Sequence, residues 1–192
     1  MKQNTAQQIL DVAQSMVRNR GYSAFSYADI AQQVGIRKAS IHYHFPSKDD
    51  LVKELVKRYR EILESKCRQI EHKGITPQEQ LREFVNLYKD GLQENQICLC
   101  GMLTADFVVL NSEIQAEIKN FFAVTESWLA RLLHRGCETQ AWQCNQSVEV
   151  EARILLSTLQ GAQLLARVAA DSTSAFEQIT GDFLKDKLGN QR

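Results

Sequence analysis

Two prolines interrupt these 192 residues, and both stand where a helix should begin or end. Pro46 comes directly before Ser47, and Asp50 lies three positions beyond that serine. Pro77 comes directly after Thr76. A serine or threonine hydroxyl accepts from the backbone two or three residues on, and a carboxylate reaching back completes the first turn of a helix. Proline is tolerated in that first turn because its missing N–H would have had no partner there. Elsewhere the chain is rich in Ala, Leu, Gln, Glu and Lys, and little in it breaks a helix. An all-α fold follows.

The helical period then places the elements. Thr5, backed by Gln8, is expected to cap a helix over 5–19, with Ile9, Leu10, Ala13, Met16 and Val17 on its apolar face. Ser26 and Asp29 form a second capping box, before a short helix whose Ile30, Ala31 and Val34 share one face. Gly35 supplies the left-handed turn, Lys38 to Phe45 is a further short helix, and Pro46 stops it. From Lys48 a long helix runs to about residue 72. Helices are then expected from Pro77 to about Leu92, Glu113 to Arg135 (capped by Ser112 with Gln115, ended by Gly136), Val148 to Ala170 after Ser147, and Ser174 to Leu188.

Two short helices joined by a glycine-led turn, between a capped first helix and a long fourth, make the plan of a helix-turn-helix. Its second short helix would enter the major groove. The residues that carry this plan also resemble the DNA-binding segment of the TetR (tetracycline-repressor) family of transcriptional regulators. Arg18-Asn19-Arg20-Gly21-Tyr22 is similar to the family's turn after the first helix. Ser26, Ile30, Ala31, Gly35 and Ile36 match its T/S-x-x-x-I-A-x-x-x-G-V/I pattern, and His44, Phe45, Ser47, Lys48 and Leu51 its closing block. One position departs: His42 stands where the family usually has tyrosine, and Tyr43 follows it. The resemblance covers residues 5–60. It implies a helix-turn-helix domain over 1–47 and a helical ligand-binding and dimerisation domain over 48–192. It further implies a homodimer that binds a near-palindromic double-stranded DNA operator as a repressor and is released by a small-molecule effector.

Charge distribution agrees. The net charge is zero, but residues 1–60 hold ten Lys and Arg against five Asp and Glu, and residues 61–192 hold thirteen against eighteen. A basic head suits a polyanion. No run approaches the length of a membrane span, and the N-terminus lacks the apolar core of a signal peptide. Five cysteines at irregular spacing do not form a secreted disulfide pattern, so a cytoplasmic protein is expected.

The candidate DNA contacts are Arg37 and Lys38 at the start of the recognition helix, Ser40 and His42 further along, and Tyr43. Thr5, Ser26 and Tyr27 lie where helix starts would meet phosphates. Lys48 is the phosphate contact that the resemblance implies. An apolar or aromatic effector is expected among Phe84, Tyr88, Met102, Phe107, Phe121, Phe122, Thr125 and Trp128. Cys98 and Cys100, near a helix start, offer a rival electrophile- or oxidant-sensing trigger, and Cys137 and Cys144 are close enough in sequence to pair. Dimer contacts are expected from Leu155, Leu159, Ala162, Leu165, Ala166, Phe176, Ile179 and Phe183, on the last two helices. No catalytic motif, zinc spacing or cofactor fingerprint is present, so neither an enzyme nor a metal or cofactor protein is indicated. A helical adaptor that binds only protein is the remaining alternative.

Overall fold

The computed structural model describes residues 4–144 and 146–188, apart from the side chains of Asp182, Asp186 and Leu188. Residues 1–3 of the N-terminal stretch read for a signal peptide, residue 145, residues 189–192 and the Leu188 side chain lie outside the described residues. Among the described residues the fold is all-α. Its helices are α1 (Thr5–Arg20), α2 (Tyr27–Val34), α3 (Lys38–His44), α4 (Lys48–His72), α5 (Pro77–Asp90), α6 (Leu99–Thr104), α7 (Ser112–Glu138), α8 (Val148–Ala166) and α9 (Ser172–Leu188). Short 3-10 turns follow α5 and α6.

Several starts and stops obey the local chemistry. Ser26 and Asp29 form the expected box, Ser47 and Asp50 form another, and Thr76 with Glu79 a third behind Pro77. Others differ. Asn4, not Thr5, caps α1, and Asn111 rather than Ser112 accepts from the first turn of α7. Gly136 does not end α7. It lies inside the helix because the Trp142 indole packs where its side chain would be, and the left-handed turn falls at Gln140 (φ 55°). α8 stops at Ala166, four residues short of the expected end, and α9 starts two residues early with Asp171 accepting from Ser174 N–H.

Packing gathers the chain into two compact units. The first comprises Met1–Glu61 with Leu99–Phe121. In it α1, α2 and α3 pack together, and α6 lies on α1. The core is the expected set from α1 with Phe25, Ile30, Ala31, Ile41, Phe45, Leu51 and Leu55, joined by Leu103, Leu110, Ile114 and Ile118. The second unit comprises Ile62–Cys98 with Phe122–Arg192. Here α8 packs on α9, and α5 on both. Gln163, buried on α8, accepts from Cys98 N–H at 2.9 Å and donates to Tyr88 O at 2.6 Å, which satisfies two backbone groups in an apolar setting.

Candidate nucleic-acid interface

The interface begins with α2 and its glycine. Gly35 takes the left-handed conformation (φ 76°, ψ 34°), and the N–H groups of Gly35 and Ile36 both donate to Ala31 O. The chain leaves that turn extended at Arg37 and starts α3 at Lys38. Ile41 is fully buried and Phe45 nearly so, which fixes the roll of this seven-residue helix. The opposite edge therefore faces solvent: Arg37, Lys38, Ala39, His42 and Tyr43 are exposed, Tyr43 at 84%, and Ser40 is half-buried. Two guanidinium or ammonium groups, a hydroxyl, an imidazole and a phenol along one edge match the donors that read base edges and phosphates.

His42 keeps its ring close to the protein. Its Nδ1 is 3.1 Å from Pro46 O and its edge meets Tyr27, centroids 4.8 Å apart. With Nδ1–H donating to that carbonyl, neutral His42 presents an acceptor at Nε2, and only the imidazolium can donate to a phosphate without giving up the bond.

Two expected contacts are placed otherwise. Tyr27 is an interior residue: its hydroxyl donates to Phe45 O at 2.9 Å and lies against Ser47 O. Burial, then Asp50, pushes its phenol up to about 12. Lys48 turns inward as well. Its Nζ donates to Tyr22 O at 2.7 Å and Phe25 O at 2.8 Å and lies 4.4 and 4.2 Å from the centroids of those two rings. Its pKa is lowered, mainly by burial. In this arrangement Lys48 clasps the link between α1 and α2. Ser26 is exposed but its hydroxyl donates to Asp29, and those bonds hold the Asp29 carboxyl below the ordinary range. Thr5 is half-buried in the first turn of α1.

A network that the sequence did not reveal braces the same region. Asp49 accepts from Tyr22 Oη at 2.7 Å and from Asn111 Nδ2 at 3.0 Å, and Arg58 on α4 donates to Gln7, Asp11 and Gln14 on α1. The Tyr22 phenol rises to about 12, through burial first and Asp49 next. Partners 27 to 62 residues apart leave no local signal.

A regulator of the TetR family from Agrobacterium tumefaciens, whose structure is solved, is 36% identical over 94% of this chain and 95% of its own, with a TM-score of 0.89. The chain belongs to the TetR family of transcriptional regulators. A second TetR regulator, from Legionella pneumophila, is 33% identical over 95% of this chain and 99% of its own, TM-score 0.82. The family model described as "Bacterial regulatory proteins, tetR family" matches residues 9–55. The HTH-type transcriptional repressor KstR2 of Rhodococcus jostii is 23% identical over 79% of this chain and 74% of its own length. This TetR protein is thus a DNA-binding, ligand-responsive regulator, and α2 and α3 are its helix-turn-helix. Among the described residues no helix is long and apolar enough to cross a membrane.

The other expected site residues are dispersed. Met102, Phe107 and Phe121 belong to the first unit, where Phe121 packs against Tyr59. In the second unit Phe84 stacks on Trp128, centroids 5.0 Å apart, and touches Tyr88, while Phe122 is half-buried. Thr125 and Trp128 line a cavity of about 180 Å³ whose other walls, including Leu63, Cys67 and Arg131, were not anticipated. Cys98 and Cys100 are both buried, without the access that a reacting thiolate needs. Cys137 and Cys144 form a disulfide. On the last two helices Leu155, Leu159, Ala162, Ala166 and Phe176 prove to be core of their own subunit, because α5, α8 and α9 pack together. Leu165 and Phe183 are exposed and Ile179 is half-buried; Val150, Ile154 and Leu164 on α8, and Val168 just past its end, are exposed as well.

Proposed function

We propose that this TetR regulator acts in the cytoplasm as a repressor. As a homodimer it binds a near-palindromic operator through Arg37, Lys38, Ser40, His42 and Tyr43 of each subunit, and a small effector held in the second unit releases it. The observation that carries the reading is the solvent-facing edge of α3, with Arg37 and Lys38 at its head, set by the burial of Ile41 and Phe45 behind it. The dimer reading is supported by the large apolar side chains left exposed on and beside the last two helices, Val150, Ile154, Leu165, Val168 and Phe183, since exposed apolar surface marks interaction faces. A two-fold dimer would set its two recognition helices about 34–36 Å apart, or a multiple of that.

The test is a gel shift with DNA fragments, first from around the protein's own gene and then selected from the genome, titrated at several salt concentrations. Expected is specific binding whose log affinity falls linearly with log salt, lost in Arg37→Ala/Lys38→Ala. Leu165→Asp should yield monomers by sedimentation and weaken operator binding. Failure to select any fragment from the whole genome, or a double variant that binds as well as the parent, overturns the reading. A thiol electrophile that abolished binding would instead restore Cys98 or Cys100 as the trigger.

A further inference from the structure

In the second unit, the C-terminal part of α4 and the middle of α7 line the cavity of about 180 Å³. Leu63, Cys67 and Glu71 recur every fourth residue on one helix, and Thr125, Trp128 and Arg131 every third on the other, so each contributes one stripe. Trp128 is 3% exposed, yet its indole Nε1–H has no hydrogen-bond partner. A buried indole N–H ordinarily finds an acceptor. Stacking on Phe84, with centroids 5.0 Å apart, fixes the ring beside the cavity.

The lining holds two carboxylates, Glu64 and Glu71, and two guanidinium groups, Arg68 and Arg131. Glu64 pairs with Arg68 at 3.8 Å and Glu71 with Arg135 at 3.6 Å. Arg131 donates to Ser127 Oγ at 2.9 Å and, among the described residues, has no carboxylate within ion-pair distance. Arg131, with no carboxylate paired to it among the described residues, sits one helical turn from the unpartnered indole donor. Cys67, the nucleophile of the lining, is held as a thiol: burial, then Glu71, pushes it up to about 12.

Resting on the reading of the protein as an effector-released repressor, we propose that this cavity is the effector site and that it selects a compact monocarboxylate with a single ring or an equally short apolar body. The carboxylate bridges Trp128 Nε1–H and the Arg131 guanidinium, and the apolar body lies against Leu63, Cys67 and Val124. Size sets the limit, because an apolar cavity of about 150 Å³ admits one benzene. Charge sets the preference, because hydrogen bonds to an ionised acceptor are about twice as strong as neutral ones.

The probe is sodium benzoate, with benzyl alcohol as its uncharged counterpart. Binding to the full chain is followed by 1H–15N NMR of the two indole N–H resonances, that of Trp128 being assigned by its loss in Trp128→Phe. Expected is a saturable benzoate shift at Trp128, with affinity about tenfold or more lower for benzyl alcohol and for Arg131→Gln. Arg131 is a surface residue, so Arg131→Gln remains informative should Trp128→Phe fail to fold. No saturable shift at Trp128, or equal affinity in Arg131→Gln, overturns the proposal. Operator binding is measured separately without benzoate. A chain that binds operator but not benzoate refutes this site alone. A chain that binds benzoate at Trp128 but no operator supports the ligand class and refutes the repressor.

Discussion

A methyl group added at Gly136 would lie 2.0 Å from Trp142 Cζ2 and 2.1 Å from Cε2, inside the indole itself. Gly136→Ala must therefore expel Trp142, which is 7% exposed and donates its Nε1–H to Leu133 O at 3.1 Å. A buried tryptophan removes roughly 150–250 Å² from water, worth about 4–6 kcal/mol at ~25 cal/mol per Å². Part of that area stays covered after the ring moves, and alanine gains about 1 kcal/mol over glycine inside a helix. A net loss of roughly 2–4 kcal/mol is expected. In a Trp142→Ala background the clash is gone and only helix propensity remains, so the same substitution should stabilise by about 0.5–1 kcal/mol. The assay is a double-mutant cycle by denaturant unfolding at one fixed protein concentration, because dimerisation would shift apparent stability. The sign reversal is the decisive feature. Equal destabilisation by Gly136→Ala in both backgrounds would refute the close approach as the reason for the glycine.

Lys48→Met removes a donor from the Tyr22 and Phe25 carbonyls and should cost roughly 1–3 kcal/mol of stability. The salt slope of operator binding should stay unchanged; a slope smaller by about one would make Lys48 a phosphate contact after all. The phenols of Tyr22 and Tyr27 hold their protons more tightly when folded, rising from 10.0 to about 12. Their contribution is therefore complete below pH 10 and lost as pH climbs from there to about 12. Phenolate absorbance, assigned with Tyr22→Phe and Tyr27→Phe, should show these two phenols ionising late, in step with unfolding of the head, and their titration near 10 would contradict the burial argument.

The sequence revealed most where the physics is short-ranged. Ser26 with Asp29 and Ser47 with Asp50 could be read because both members of each box lie within one turn. Cap choice between adjacent polar residues could not: Asn4 beside Thr5, and Asn111 beside Ser112, differ only in which backbone turns first. Gly136 misled because glycine marks both a helix end and a close approach, and the ring it accommodates lies six residues on, past the end of the helix. The exposed edge of α3 was legible from Ile41 and Phe45, whereas the inward turn of Tyr27 and Lys48 depended on carbonyls about twenty residues away. Aromatic content pointed to residues split between the two units, with Met102, Phe107 and Phe121 in the first, and the unpaired Trp128 donor and Arg131 emerged only from packing. Apolar periodicity on α8 likewise did not tell which of its faces was already covered.

The unit that carries the helix-turn-helix is not one stretch of chain, and this limits how the protein can be cut or recombined. Leu99–Phe121 belongs to it, with Leu103, Leu110, Ile114 and Ile118 in its core, Asn111 hydrogen-bonded to Asp49, and Glu113 and Glu117 in ion pairs with Lys53 and Arg60. A fragment ending at residue 61 would leave that apolar face bare and those side chains unmatched. Grafting this reading head onto a different sensor therefore means transplanting two segments of polypeptide together, with the intervening residues 62–98 supplied by the recipient.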